Sequence, residues 1–191
     1  MKKIIVLAIV AAVAALSATH ATAQKYSLGV NGADIVYYGT LNAEASIAVG
    51  RKATITAKGR YNPWEYGHSK VETEVHRKQR TAEVGARFWP WHVYSGWWVG
   101  GQARWQEYNR NGMFISREDL TEEGDAYGVG VSAGYTLMLR PSLNVEFGFG
   151  MWGGKTFYRS YDCPTCGMPV DEGEKFFFLP NEAILSLVYI F

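Results

Sequence analysis

The sequence predicts an all-β protein, an eight-stranded antiparallel up-and-down transmembrane β-barrel with a side-chain-filled lumen. Three observations favour this fold. The N-terminus has the features of an export signal, apolar and polar residues alternate with period two through the rest of the chain, and the last alternating segment ends on Phe191. Successive side chains of a strand point to opposite faces, so each alternating segment has one apolar and one polar or small face.

The first residues have the pattern of a secretory signal peptide. Two lysines precede an apolar run over residues 4–16, and the small residues Ala21 and Ala23 form a signal-peptidase site. The run is shorter than the roughly 20 residues that a transmembrane helix needs. We therefore expect residues 1–23 to be a signal peptide and residues 24–191 to form an outer-membrane β-barrel domain.

The composition excludes some classes of protein. Lys2 and Lys3 lie in the signal, so 17 of the 19 Lys and Arg residues remain against 18 Asp and Glu. This balance gives no support for a nucleic-acid partner, which usually selects a basic patch. No long apolar run follows the signal, so the chain could cross a membrane only as a closed barrel, in which every backbone group is paired.

Eight alternating segments are predicted to be strands. In the clearest, Tyr127, Val129 and Val131 alternate with glycine and serine. An even number of strands is expected of bacterial barrels whose termini both lie in the periplasm. The predicted strands lie near residues 26–33, 41–49, 53–61, 82–88, 97–106, 127–137, 143–151 and 180–191.

The connections between these strands alternate in length. The periplasmic ones would be short, and three of the outer ones long and polar, as in known outer-membrane barrels. The long outer loops are predicted over residues 62–79, 109–125 and 159–177. Aromatic residues near strand ends suit a girdle at the membrane interface: Phe88, Trp89, Trp91, Trp97 and Trp98.

The polar faces of the strands would meet in the lumen. The interior of an eight-stranded barrel is only wide enough for side chains to fill it, and charges there must be paired. Four acids and four bases fall on these faces, which favours a structural ion-pair network over a catalytic site. The predicted lumen residues are Glu44, Lys58, Arg60, Glu83, Arg87, Arg104, Glu146 and Glu182. Five glycines would leave room for the longer side chains: Gly128, Gly130, Gly134, Gly148 and Gly150.

Cys163 and Cys166 form a CxxC motif in the last outer loop. In an exported protein, a disulfide between them is the favoured interpretation. A redox-active pair, free thiols or a metal site are the alternatives, although a zinc site wants four ligands and the chain has no other cysteine. An acidic group in the preceding outer loop lacks the spacing of a calcium loop and is expected to be solvated: Glu118, Asp119, Glu122, Glu123 and Asp125. No catalytic residue, metal or cofactor is predicted.

The end of the chain is typical of the signal that the barrel-assembly machinery recognises. Counting back by twos from the final residue gives an apolar series made of Leu185, Leu187, Tyr189 and Phe191. A buried last strand that happens to end on Phe is the alternative explanation.

Several short motifs resemble an uncharacterised outer-membrane family filed as domain of unknown function 3575. These are the segments 39–44 and 61–64, the run 87–91, the CPTCG sequence at 163–167 and the final LVYIF. The resemblance covers nearly the whole chain after the signal. It implies a β-barrel of gut and oral Gram-negative anaerobes, encoded near fimbria-like surface structures, and hence an assembly or anchoring partner. It implies no catalytic residues.

We therefore expect an integral outer-membrane protein of a Gram-negative bacterium, surrounded by lipid, that is not an enzyme. Its outer loops would present a surface to a fimbrial subunit, to lipopolysaccharide or to a host molecule. Three alternatives stay open at this point: an outer-membrane lipid-modifying enzyme, a small-solute channel, and a soluble secreted lipocalin-like barrel, which would show the same alternation with its apolar face turned inward.

Overall fold

The computed structural model describes residues 25–37, 39–66, 75–111, 121–161 and 169–191. The predicted signal peptide, Cys163 and Cys166 lie outside the described residues. Within them the chain forms β1 (Tyr26–Asn31), α1 (Gly32–Val36), β2 (Leu41–Ala48), β3 (Ala53–Asn62), β4 (Glu65–Tyr66), β5 (Val75–Phe88), β6 (Gly96–Asn111), β7 (Thr121–Arg140), β8 (Leu143–Tyr161) and β9 (Asp171–Ile190).

Eight of these strands close into one antiparallel barrel. Each wall strand pairs with its neighbours in sequence, β1 pairs with β9, and the pairing of β3 with β5 completes the circle. The two-residue β4 only extends the β3–β5 hairpin by pairing with the start of β5. The prediction of an eight-stranded up-and-down barrel with a side-chain-filled lumen is confirmed.

Alternating residues of each strand point outward and inward. On β7, Tyr127, Val129 and Val131 are exposed, whereas Gly130 and Gly134 on the opposite face are buried. The outward residues are therefore the apolar ones, and the polar faces of the strands meet inside, as the alternation predicted.

The last three strands are longer than predicted. β7, β8 and β9 have 20, 19 and 20 residues, so parts of the predicted outer loops belong to the wall. In β9 the register shifts between Leu179 and Glu182, which face Trp152 and Gly150 of β8. This irregularity reverses the alternation: above it Phe177 points inward while Phe176 and Phe178 point outward. A strand interrupted in this way no longer has a single period, which is why its first half looked like a loop.

The wall is uneven in height. β1 ends at Asn31 and pairs only with Ser186–Ile190 of β9, while β9 continues upward along β8 as far as Asp171. The helix α1 lies at this step. The Asn31 side chain fixes it there, because its amide donates to the Ala183 carbonyl and its oxygen accepts from the backbone N–H of Leu185.

We call the end of the barrel that carries the connection between β5 and β6 the turn end, and the end that carries α1 the loop end. At the turn end this connection folds into the lumen and builds an apolar plug. Its members are Trp89, Val93, Tyr94, Trp98, Ile184, Val188 and Ile190. The predicted aromatic girdle is therefore wrong for Trp89 and Trp98, which are 0% exposed inside the barrel, whereas Phe88, Trp91 and Trp97 are exposed.

Candidate functional site

The Glu182 carboxylate is the centre of the lumen. Its Oε1 accepts hydrogen bonds from Lys58 Nζ at 2.9 Å and from Arg60 Nη2 at 2.8 Å. Its Oε2 accepts from Arg104 Nη2 at 2.9 Å and from Gln102 Nε2 at 3.0 Å. Side chains from strands β3, β6 and β9 thus meet at one buried carboxylate. Its negative charge is shared by the three cations Lys58, Arg60 and Arg104.

Two more acids complete this group. Glu83 Oε1 lies 3.0 Å from Arg60 Nη1 and 3.1 Å from Arg104 Nη2. Asp34 Oδ2 lies 3.0 Å from Arg60 Nε and 3.8 Å from Lys58 Nζ. Asp34 was absent from the predicted lumen set because it comes from α1, a short helix that strand alternation cannot reveal. The helix thereby connects the loop end to the lumen charges.

A second ion-pair group lies nearer the turn end, around Arg87. Its Nη2 donates to Glu44 at 2.8 Å and its Nη1 donates to Glu146 at 3.1 Å. Thr136 Oγ1 donates to the other oxygen of Glu146 at 3.1 Å. The guanidinium lies 4.2 Å from the ring centroid of Trp98, so the network rests directly on the apolar plug. All eight lumen residues named from the sequence therefore lie in these two groups.

Three of the predicted glycines leave room for these side chains. A Cβ on Gly150 would lie 3.0 Å from a Glu182 oxygen, and one on Gly130 would lie 3.0 Å from Gln102 Nε2. A Cβ on Gly134 would lie 2.6 Å from the Trp98 ring. The void that remains beside the network measures about 20 Å³, room for roughly one water molecule.

A further polar layer lies above the network, toward the loop end. Tyr108 donates its hydroxyl proton to Glu122 at 2.9 Å, and the other Glu122 oxygen accepts from Lys175 Nζ at 2.8 Å. Trp152 packs edge-on against Phe177 with a centroid distance of 4.5 Å. The expectation of a solvated acidic loop is wrong for Glu122, which is buried in the wall strand β7.

The rest of that acidic group divides between the wall and the undescribed residues. Glu123 and Asp125 also belong to β7, while Glu118 and Asp119 lie outside the described residues. The loop-end layer was missed from the sequence because its strands were predicted to end several residues too early.

Next to this layer the lumen widens into a cavity of about 1050 Å³ at the loop end, which we call the vestibule. The cavity is lined by one row of residues that pair from strand to strand around the barrel. Two of them are glycines, which have no side chain to fill the space. The inward residues of this row are Asn62, Gln79, Tyr108, Gly124, Tyr158 and Gly173. The Tyr158 hydroxyl donates to Asp171 at 3.2 Å, and that carboxylate raises the pKa of Tyr158.

The outside of the barrel carries a continuous apolar band. On β7 it runs from Tyr127 to Leu137, about 34 Å along the strand, which for a tilt of roughly 40° gives a height of about 25 Å. Aromatic residues lie at both of its ends on β6 and β7: Trp105 and Tyr127 pair at one end, and Trp97 contacts Tyr135 at 5.2 Å near the other. Outward ion pairs among the described residues lie toward the loop end and include Arg80–Glu107, Lys155–Glu174 and Arg159–Glu172.

The four residues of the predicted C-terminal signal lie on or just after β9. Leu185 and Leu187 are exposed on the outer face. Tyr189 stacks on Phe191 at 6.1 Å, and the Phe191 ring stacks on Tyr26 at 6.0 Å. Phe191 and Tyr26 also exchange backbone hydrogen bonds of 2.9 Å, so these residues close the barrel at its turn end.

The comparison with protein families identifies the chain. It matches the family described as protein of unknown function (DUF3575) over residues 6–191, nearly its whole length. The chain belongs to this family. No curated protein matches it.

Neither a metal-binding cluster nor a membrane-spanning helix is found among the described residues. They contain no cluster of three or more His, Cys, Asp or Glu side chains arranged to hold a metal ion. No helix among them is both long and apolar enough to cross a membrane.

Proposed function

We propose that this protein is an integral outer-membrane β-barrel with a structural or surface-interaction role. The observation that carries the proposal is the inverted distribution of its side chains. The charges lie inside, in the groups around Glu182 and Arg87, and the outside is an apolar band about 25 Å high, the height expected of a bilayer-facing surface. Contact with water would be unfavourable for this band, and soluble monomers rarely expose apolar patches larger than a few hundred Å².

The same distribution argues against a soluble lipocalin-like barrel. Such a barrel turns its apolar face inward to hold a ligand. Here the apolar residues Val129, Val131 and Leu187 are exposed, and Glu83, Arg104 and other charged groups are buried. A solute channel is also disfavoured, because the ion-pair layer leaves a void of only about 20 Å³.

The proposed role is one of display and anchoring. The signal peptide would be cleaved near Ala23, the last strand would engage the barrel-assembly machinery, and the barrel would sit in outer-membrane lipid with its loop end outside. The family resemblance adds fimbria-like surface structures as the partner class that the loop end would anchor or help to assemble. The Cys163–Cys166 disulfide stays a prediction of the same export pathway.

The membrane assignment is tested by fractionation together with heat-modifiability. The chain is expressed with its signal intact, and outer-membrane and periplasmic fractions are run unboiled and boiled on SDS gels. We expect the protein in the outer-membrane fraction, with a band that shifts on boiling because a folded barrel resists SDS. A soluble periplasmic protein with no shift would overturn the proposal.

The interaction role needs a separate test. Deletion of the gene should leave the lipid A and phospholipid profiles unchanged while altering the surface proteins that remain attached to the cell. A changed lipid profile with unchanged surface proteins would instead favour the lipid-modifying enzyme.

A further inference from the structure

The upper half of β9 is paired along only one of its edges. Residues Asp171–Leu179 face β8, from the pair Asp171–Ser160 down to the pair Leu179–Trp152. On the other edge β1 pairs only with Ser186–Ile190. Within the described part of the chain, no strand pairs with that edge between residues 171 and 179. A strand of this length, about 30 Å, therefore presents unpaired backbone donors and acceptors.

Among the residues that the structure describes, the step in the wall leaves space beside this edge. The neighbouring strands β1 and β2 end far lower, at Asn31 and Leu41, and α1 covers only the foot of the step. The register irregularity between Leu179 and Glu182 marks where the open edge begins. An added strand at this position would continue the wall around the vestibule.

The upper part of the open edge lies beyond the apolar band. Lys155 of β8 pairs with Phe176 on one side and with Tyr127 on the other, and Tyr127 is the last residue of the band on β7. Residues 171–175 therefore extend beyond the band. Phe176 and Phe178, which point outward beside the edge, are 84% and 68% exposed. A long open edge flanked by exposed aromatic residues is what proteins normally shield, because it templates pairing with another chain.

A second copy of this chain does not fit the edge. All copies in one membrane insert with the same orientation, so antiparallel pairing of two β9 edges would require one barrel to be upside down. Two barrels related by an axis along the membrane normal present strands that each tilt by about 40° in opposite senses and cross at roughly 80°. The occupant must therefore be a strand whose direction is set independently of a barrel.

We propose that the open edge of Asp171–Leu179 binds an extended segment of a different protein by β-strand addition. Main-chain hydrogen bonds to β9 supply the affinity, and side chains in alternate positions supply the specificity. The segment carries apolar or β-branched residues next to Phe176 and Phe178, and a basic residue next to Asp171 and Glu172. This inference rests on the proposed function, because the membrane orientation excludes the second copy.

The test uses the full mature chain refolded in lipid vesicles and a synthetic peptide as the probe. The peptide has nine residues of alternating Val and Thr, followed by two Arg at its C-terminal end. In an antiparallel pair with β9, this end lies next to Asp171. A control peptide has Pro at alternate positions and cannot donate to the edge. Backbone amide hydrogen exchange is measured over residues 171–179 and, as an internal control, over residues 123–131 of β7, which is paired on both edges.

We expect alternate amides of residues 171–179 to exchange rapidly in the free protein and at least tenfold more slowly with the Val–Thr peptide. The proline peptide should have no effect, and the β7 segment should not respond to either. Phe176→Lys should weaken peptide binding about tenfold, whereas Phe157→Lys, an exposed phenylalanine one strand further from the edge, should leave it unchanged.

Three results would overturn the inference. Protection of the edge amides without peptide would mean that other residues of the chain cover the edge. Protection that grows with protein concentration would indicate a second copy. No slowing at millimolar peptide would mean that the edge binds no strand. The heat shift on gels is independent of all three, so a failed edge and a failed membrane assignment are told apart.

Discussion

The two ends of the lumen are built from opposite chemistry. At the turn end, Trp89 and Trp98 are fully buried in an apolar plug. At the loop end, the corresponding space is a vestibule of about 1050 Å³ lined by amides, tyrosines and glycines. The ion-pair network around Glu182 separates the two. The barrel is thus closed toward one side and open toward the other.

This difference also predicts where the stability resides. Removing a side chain from the apolar plug or from a buried ion pair lowers the free energy of unfolding. Residues that line an open space make few contacts, so their removal should lower it less. We therefore match each substitution with one at the loop end or on the outer surface. The effect of each is measured as a change in the free energy of unfolding in lipid vesicles.

The largest effect is expected at the plug. Trp98→Ala removes a side chain that contacts Trp89 and stacks on the Arg87 guanidinium, so the cavity and the lost cation–π contact should together cost about 4–6 kcal/mol. Tyr158→Ala, in the vestibule, should cost far less, because this side chain lines an open space. Urea unfolding followed by gel shift measures both. Equal losses would mean that the loop end is packed as tightly as the turn end.

The next effect is expected in the network between the two ends. Glu182→Gln preserves the shape of the side chain but leaves Lys58, Arg60 and Arg104 with one anion fewer, which should cost about 3 kcal/mol. Glu174→Gln breaks only the exposed pair with Lys155 and should cost below about 1 kcal/mol. If the two losses were alike, the lumen would be hydrated and its ion pairs would behave like surface pairs.

An effect of similar size is expected on the outer face, where a substitution within the apolar band is compared with one beyond it. Val131→Arg places a cation on the outer face near the middle of the band and should cost about 2–4 kcal/mol in a bilayer. Val170→Arg, also at an exposed valine but beyond the band at the loop end, should change stability by less than about 0.5 kcal/mol. A neutral Val131→Arg would be inconsistent with lipid around this face.

The wall of the barrel could be predicted from the sequence where its period is unbroken. Segment 127–137 alternates without interruption, so its outward valines and inward glycines follow from the spacing alone. β9 could be predicted only below its irregularity, because the shift between Leu179 and Glu182 inverts which residues face inward. The eight charges named from the sequence could be predicted for the same reason as the wall, since each lies on the polar face of a strand.

Two parts of the lumen could not be predicted from spacing. Asp34 joins the network from a five-residue helix, whose contribution depends on how α1 closes the step in the wall. Trp89 and Trp98 flank a turn, and an aromatic residue at a strand end suits a membrane interface as well as a plug. Only the inward fold of residues 89–95, which the Asn144 amide fixes by donating to the Tyr94 carbonyl at 2.8 Å, decides between them.

The smallest effect is expected from single hydroxyl groups at the two ends. Tyr94→Phe keeps the ring in the plug but removes the hydroxyl that donates to the Lys25 carbonyl at 3.2 Å and lies 3.0 Å from Ser46 Oγ, which should cost about 0.5–1.5 kcal/mol. Tyr158→Phe removes an exposed hydrogen bond to Asp171, which water can replace, so it should be nearly neutral. Thermal gel-shift midpoints resolve the pair. A larger loss of stability for Tyr158→Phe would mean that the polar contacts of the vestibule hold it in a fixed conformation. The loop end would then be a preformed binding surface and would not depend on a partner for its order.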